Sequence, residues 1–392
     1  MKIDPKLIEF ATVRQIEYIE AIEEHGSMLK AAKALGMSRN AVQDSMTKLR
    51  NAAARQGYSP VHGMTRSVPD GFLAKRVSTN YKEDGSISQQ WVIATPDAAR
   101  QREIMEAGFA AMAGELPRQK PIKAPSVTDS KLANLFTLTD SHVGMLAWHK
   151  ENLDAAGDWD LQIAERVLTG CFEHMIKASP KARVGIVAQL GDFLHSDGLA
   201  AITPTSGHLL EQDGRFPKVV RSAIRILRRV INMALEHHET VIVLMAEGNH
   251  DLASSVWLRA MFAALYENEP RVQVIDSELP YYAVKHGKCM IAWHHGHLKK
   301  NDALPLLFAT QFPEMWGSTL YRYAHCGHRH HEEIKEHSGM KVVQHSTLAT
   351  RDAHASRHGW HSVRQCTAIT YHTDFGQVCV NTVTPEMLEA AA

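Results

Sequence analysis

The sequence predicts an α/β protein, preceded by a small helical module and a β-hairpin. Three observations carry this. Short apolar runs recur in the second half, and each closes on a polar motif: ANLFTLTD, RVGIVAQLGD, TVIVLMAEGNHD and KCMIAWHHGH. Between two of them stands KVVRSAIRILRRVINMALEHH, whose apolar residues follow helical spacing. Residues 1–60 carry helical spacing as well, with no strand alternation. Apolar strands with polar chemistry at their carboxyl ends are the pattern of α/β sheets whose sites form at strand ends.

The first module reads as three helices over 1–60. Ile16, Ile19 and Ile22 place an apolar stripe on the first. Ser27 is a cap for the second, SMLKAAKALG, which ends at Gly36. Ser38 is a cap for the third, SRNAVQDSMTKLRNAAARQG, with Val42, Met46 and Leu49 on its inner face. Small Ala31, Ala32 and Gly36 suit two helices that cross closely through a short turn. On the outer face of the third helix, Arg39, Asn40 and Gln43 suit base edges, while Thr47 and Lys48 suit phosphates. Asp44 among them opposes tight non-specific binding. This stretch resembles the helix-turn-helix of LysR-type regulators, and the resemblance implies DNA as a partner. A three-helix bundle that binds protein is the competing reading.

Residues 61–112 change texture. GFLAKRVSTNYKEDGSISQQWVIAT reads as two strands joined at Glu83-Asp84-Gly85. Its Lys75, Arg76, Tyr81, Lys82 and Trp91 are either further nucleic-acid contacts or an ordinary solvated face. PDAARQREIMEAGFAAMAGE looks helical. LPRQKPIKAPSVTDS, with three prolines and no apolar periodicity, reads as a linker, placed at 113–130. The domain of alternating strands and helices follows over 131–392. Its late strands are KVVQHSTLA and CTAITYHTDFGQVCVNTV, the latter turning at Asp374-Phe375-Gly376.

Composition bounds the rest. The chain has 392 residues, 44% apolar and 22% charged, enough for two or three domains with a sizeable core. Net charge is zero, so no whole-chain field marks a nucleic-acid binder. Residues 1–125 carry 18 basic against 14 acidic residues, a net of +4, which leaves the remainder at −4. Five cysteines without C-x-x-C spacing argue against a disulfide framework and for a reducing cytoplasm. The start, MKIDPKLIEFATVRQIEYIEAIEE, lacks the apolar core of a signal peptide, and no run reaches the length of a membrane span. The expectation is a cytoplasmic protein with no membrane partner, and a homo-oligomer is compatible with the sequence.

Histidine is the outlier: 24 residues, crowded into the second half. Most are ordinary surface and core histidines. Those in five motifs ask for more: Asp140-Ser141-His142, Gly191-Asp192-Phe193-Leu194-His195, Gly248-Asn249-His250-Asp251, His294-His295-Gly296-His297 and Gly327-His328-Arg329-His330. Asp140 and His142, two apart beyond a strand, can face one side and share an ion. Asp192 follows a glycine that lets backbone come close to a metal or phosphate, and its two oxygens can bridge two ions. Asn249 adds a neutral amide oxygen, which lowers the negative charge facing a phosphate. His295, His328 and His330 complete the shell. Oxygen-rich mixed ligation favours manganese, iron or magnesium over a structural zinc site.

These motifs resemble those of calcineurin-like metallophosphoesterases over roughly residues 131–350. The resemblance implies a β-sandwich flanked by helices and a two-metal site, manganese first, with iron, magnesium or zinc as alternatives. It implies that Asp140, His142 and His330 hold the first ion, that Asp192 is shared, and that Asn249, His295 and His328 hold the second. The family's ligand directly precedes the glycine of the fourth motif, which selects His295 over His294 and His297. His250 would stand at the phosphate as general acid or transition-state donor, and Asp251 would hold its ring. The run from Gly191 to His195 is similar to a motif of SbcD-type repair nucleases, in which the last histidine lies near the substrate. His195 holds that position here, with an idle solvent-facing histidine as the plain alternative.

Two long loops flank the motifs. GDFLHSDGLAAITPTSGHLLEQDGRFPK is placed to shape access. TLATRDAHASRHGWHSVRQ brings Arg351, Arg357, His358, Trp360 and Arg364 as residues for a phosphate backbone or a base, or as a plain surface loop. Together these readings anticipate a metal-dependent DNA nuclease. The rivals are a phosphatase or small-nucleotide phosphodiesterase with an assembly module, and a non-enzymatic DNA-binding regulator.

Overall fold

The computed structural model describes residues 3–55, 58, 72–82, 87–97, 100, 103, 122–151, 157–199, 201–204 and 207–389. The chain divides into two units, Met1–Met105 and Glu106–Ala392.

The first unit holds α1 (Val13–His25), α2 (Met28–Ala34) and α3 (Arg39–Arg55). Local chemistry sets their ends. Thr12 and Gln15 form a capping box on α1. The Ser27 hydroxyl accepts from Lys30 N at 3.3 Å, and that of Ser38 from Ala41 N at 3.2 Å. Ile19, Ile22, Ala31, Ala32, Val42, Met46 and Leu49 are buried together, in keeping with the apolar spacing. One closure is not legible in the sequence. Tyr58 stacks on Phe10 at 5.7 Å and its hydroxyl donates to Asp4 at 2.6 Å, so Tyr58 packs on the N-terminal turn, Pro5–Phe10. The strands β1 (Phe72–Tyr81) and β2 (Ile87–Pro96) pair antiparallel. The turn expected at Glu83-Asp84-Gly85, and nearly all of the helix expected after it, lie outside the described residues.

The second unit is a sandwich of two sheets. One has six strands: β3 (Asp129–Leu138), β4 (Ala182–Gln189), β5 (Thr240–Met245), β6 (Val272–Val274), β12 (Cys366–His372) and β13 (Gly376–Val383), in the order β13-β12-β3-β4-β5-β6. The other has five: β7 (Tyr282–His286), β8 (Cys289–Trp293), β9 (Tyr321–Cys326), β10 (Glu333–His337) and β11 (Met340–Gln344), in the order β10-β11-β9-β8-β7. β3 starts at Asp129, so the end of the stretch read as linker is strand. Its first three residues are polar and exposed, which hides a strand from any apolar pattern.

The core lies between the sheets. Leu135, Ile186, Leu244, Ile369 and Tyr371 from one meet Tyr282, Ile291, Trp293 and Tyr323 from the other. Each large apolar side chain buried there contributes ~1.5–3 kcal/mol. Helices α4 (Leu161–Ala178), α5 (Phe216–His237) and α6 (Leu252–Leu265) cover the outer face of the larger sheet. Helix α7 (Leu304–Gln311) covers the smaller one, with Leu304 and Phe308 on Met290, Ala292 and Ala324. The parallel strands β3, β4 and β5 are therefore buried on both faces, which is why they read as continuous apolar runs. The fold class is the one the motifs imply: an α/β sandwich flanked by helices. None of the described helices is long and apolar enough to cross a membrane.

Candidate metal centre

Parallel strands end on the same side, and five turns meet there. β3 delivers Asp140 and His142, β4 Asp192 and His195, β5 Asn249 and His250, β8 His295, and β9 His328 and His330. The backbone at these turns is unusual. Among the described residues, positive φ occurs at five that are not glycine: Asp140 (49°), His142 (43°), Asp192 (49°), His328 (70°) and His330 (57°). All five belong to the expected ligand set. Left-handed backbone costs such a residue ~1–3 kcal/mol, so it persists only where the surroundings fix it. Here they do. His328 N donates to both Asp140 carboxylate oxygens, at 2.8 and 3.0 Å, and His142 N donates to the Asp192 carbonyl at 3.0 Å.

The side chains converge in two groups. Donor atoms of Asp140, His142 and His330 lie within 4.8 Å of one another, and so do those of Asp192, His295 and His328. In the first group, His142 Nε2 faces His330 Nε2 at 3.3 Å, with Asp140 Oδ1 3.2 Å from the latter. In the second, His295 Nε2 lies 3.2 Å from Asp192 Oδ2 and 3.3 Å from Asn249 Oδ1. His295 Nδ1 donates to the Leu190 carbonyl at 2.8 Å, which leaves Nε2 pointing inward. His294 turns to the other side and stacks on Tyr281 at 5.4 Å. This chemistry fits divalent cations. Two buried carboxylates, facing imidazole nitrogens and a neutral amide oxygen are a hard-to-borderline donor set converging on common points.

Two motif glycines are required by close approach. A Cβ on Gly248 would collide with Asp192 Oδ1 and with the Asp192 amide. A Cβ on Gly191 would stand 2.6 Å from His295 Nδ1 and 2.9 Å from the Glu247 carbonyl. That glycine therefore makes room for an imidazole rather than, as its place in the motif suggests, for a metal or phosphate.

Asp251 and His195 sit in surroundings that the sequence does not show. The family resemblance assigns Asp251 to the His250 ring. Its buried carboxylate instead accepts four backbone amides: Asp192 N (3.1 Å) and Gly248 N (3.0 Å) on Oδ1, Phe193 N (2.7 Å) and Leu194 N (3.1 Å) on Oδ2. What holds the His250 ring is the His195 carbonyl, which accepts from Nδ1 at 2.8 Å. His195 itself is buried, not solvent-facing. Its ring stacks on His250 at 5.7 Å and its Nδ1 lies 3.4 Å from His142 Nδ1. The donor atoms of His142, His195 and His250 also lie within 4.8 Å of one another.

Electrostatics follows from burial. Desolvation, then the facing His250, lowers the His195 pKa to about 3, so its ring is neutral. Desolvation opposes charge on His295, but the Asp192 and Asp140 carboxylates outweigh it and hold its pKa at about 10. Burial and the Asp192 charge push Asp251 up to about 7 against the pull of its amide donors.

Three supporting residues escape a reading of the sequence. The Thr139 hydroxyl donates to Asp140 Oδ2 at 2.6 Å, and the Thr347 hydroxyl to the Asp140 carbonyl at 2.6 Å. Asp197 accepts from Ala253 N and Ser254 N, both at 2.7 Å, and so caps α6 while the Asp251 carboxylate is turned away. Thr139 and Asp197 are marked in sequence only as polar residues beside a motif, which are common, and Thr347 lies beside none of the five motifs. The five candidate DNA contacts Arg39, Asn40, Gln43, Thr47 and Lys48 are exposed on α3, opposite buried Val42, Met46 and Leu49. In the loop from 347 to 365, Arg364 is tied inward, its Nε donating to the Leu348 carbonyl at 2.9 Å.

No protein-family model matches the chain, and no curated protein is similar to it. Solved structures similar to it include an archaeal phosphodiesterase (11% identity, 64% of this chain and 99% of that one, TM-score 0.32). Another is vacuolar protein sorting 29 from Cryptosporidium parvum (12% identity, 65% and 98%, TM-score 0.31). A third, from Streptococcus pneumoniae TIGR4, is described as a predicted phosphoesterase (10% identity, 66% and 92%, TM-score 0.30). These superpositions are too loose to bear on the function of this chain, which is read from the site's own geometry.

Proposed function

We propose that this chain is a two-metal phosphodiesterase, and that its polymer substrate is DNA. The observation that carries the enzymatic part is the convergence of two donor groups from five strand ends, with the five left-handed non-glycine residues found among the described residues all in the proposed ligand set. Asp140, His142 and His330 would hold one divalent ion. Asn249, His295 and His328 would hold a second, with Asp192 shared. Divalent ions held there supply Lewis acidity toward phosphoryl oxygens and toward water.

The chain's own residues supply the rest. The His195 carbonyl can only accept, so His250 Nδ1 carries a proton and Nε2 is the atom left for the reaction. From Nε2, His250 stabilises or protonates the leaving oxygen. His195, neutral behind it, fixes the ring from one face. Asp251 locks the Asp192–Leu194 turn through its amides and so positions the Asp192 carboxylate.

The DNA part is supported by the exposed row Arg39, Asn40, Gln43, Thr47 and Lys48 on a capped helix whose other face is core. The test is direct. Pure protein with manganese is incubated with end-labelled single- and double-stranded DNA, and with small chromogenic phosphate mono- and diesters. A product ladder on DNA supports the nuclease reading. Turnover of the small esters with no preference for DNA assigns a phosphatase or small-nucleotide phosphodiesterase instead. Inertness toward all of them overturns the enzymatic reading.

A further inference from the structure

The loop between β11 and β12 builds an exposed ring stack beside the metal centre. A single-turn helix, Ala353–Arg357, starts at Asp352, whose carboxylate accepts from Ala355 N at 2.7 Å. It ends in two backbone bonds, Gly359 N to the Ser356 carbonyl and Trp360 N to the Ala355 carbonyl, both 3.1 Å, with Gly359 at φ 70°. That pair of bonds is the Schellman termination, which folds the residue after the glycine back against the helix it has left. Trp360 is that residue. Its ring lies 4.9 Å from His358 at 29°, and 5.7 Å from His354 at 72°. His354 and His358 lie 4.3 Å apart. His208, from the loop that follows the Asp192 motif, stands 6.2 Å from His354. Trp360 nevertheless keeps 59% of its surface exposed.

This platform is anchored to the site. Two residues after Trp360, the Ser362 hydroxyl donates to the carbonyl of His330 at 2.5 Å. The Ser346 hydroxyl donates to the same carbonyl at 3.2 Å. Two residues of chain span at most ~7 Å, so the Trp360 backbone stands close to the His330 turn. A large aromatic surface held in place by backbone bonds, yet left facing water, is suited to another flat ring. A ring that arrives with a phosphodiester is a nucleobase, and base–aromatic stacking tolerates any base.

We propose that Trp360, backed by His354 and His358, stacks a nucleobase of the ester whose phosphate lies at the metal centre, which makes nucleoside phosphodiesters the substrate class. The assignment rests on the phosphodiesterase reading above.

The test compares two esters with one leaving group, p-nitrophenyl thymidine 5′-phosphate and methyl p-nitrophenyl phosphate, with manganese present. The readout is the ratio of their kcat/KM values in intact protein, Trp360→Ala and Trp360→Phe. A second readout is the quenching by the dinucleotide thymidylyl-thymidine of the fluorescence lost in Trp360→Phe. The ratio is expected to favour the nucleoside ester. It should fall roughly fivefold to 150-fold in Trp360→Ala, the worth of one base–aromatic stack, and largely recover in Trp360→Phe. An equal ratio in all three proteins overturns the proposal. Quenching of Trp360 without hydrolysis of either ester keeps the platform and removes the phosphodiesterase reading. Neither quenching nor hydrolysis removes both.

Discussion

Asp251→Asn exchanges one carboxylate oxygen for an amide nitrogen at nearly constant volume. Each Asp251 oxygen accepts from two backbone amides, so either orientation of the asparagine turns an NH2 group toward two N–H donors. Asp251 is fully buried, and water cannot replace the lost acceptor. Two unsatisfied buried donors cost about 1–3 kcal/mol each, or about 2–6 kcal/mol in all. For a unit of this size a loss of that order lowers Tm by roughly 5 to 20 °C. Thermal unfolding followed by circular dichroism, with and without manganese, reads it directly. Metal content should fall with stability, because the amides that Asp251 holds carry the Asp192 turn. A midpoint within a degree of the parent, combined with a large drop in kcat, would refute this. Asp251 would then act on His250, as the family resemblance implies.

Three further outcomes are expected. After dialysis, metal analysis should find two ions in His250→Ala and at least one fewer in Asp192→Asn; equal loss in both would make His250 a ligand. Lys48→Ala should weaken binding to unrelated duplexes alike and reduce the log–log salt slope by about 1, read by fluorescence anisotropy; an unchanged slope would remove Lys48 from the phosphate contacts. His238 is buried with Nδ1 donating to the Ala234 carbonyl and Nε2 accepting from Asn134, and burial lowers its pKa to about 4. Folding therefore favours its neutral form. That stability is complete above the unfolded pKa of about 6.5 and is lost as pH falls toward 4, about 3 kcal/mol in all. His238→Gln should flatten this part of the stability–pH curve.

The candidate metal centre is legible in the sequence because its chemistry restricts residue types and its fold restricts their place. Asp140, Asp192, Asn249, His295 and His328 each follow an apolar strand, so spacing alone brings them to one edge. Orientation is not legible. The partners of Asp251 lie 57 to 59 residues away along the chain, apart from Gly248, and only the packing of β4 beside β5 brings them together. The burial of His195 has the same origin. Among the strands, β6 is three residues long and β10 is almost wholly exposed, so neither carries an apolar alternation to read. The closure of Tyr58 on Phe10 and Asp4 likewise depends on the chain returning to its own start.

The left-handed turns restrict which side chains can be exchanged at the proposed metal centre. Asparagine, aspartate and histidine enter that region of backbone several times more readily than other side chains. They are also the types that ligate divalent ions through oxygen and imidazole. At positions 140, 142, 192, 328 and 330, backbone and the proposed coordination thus select from the same short alphabet. Cysteine, which would draw the site toward softer ions, and glutamate, which would lengthen its reach, are outside that alphabet. Ligand exchange at these five positions therefore requires rebuilding the turns, whereas changes made elsewhere leave the turns intact.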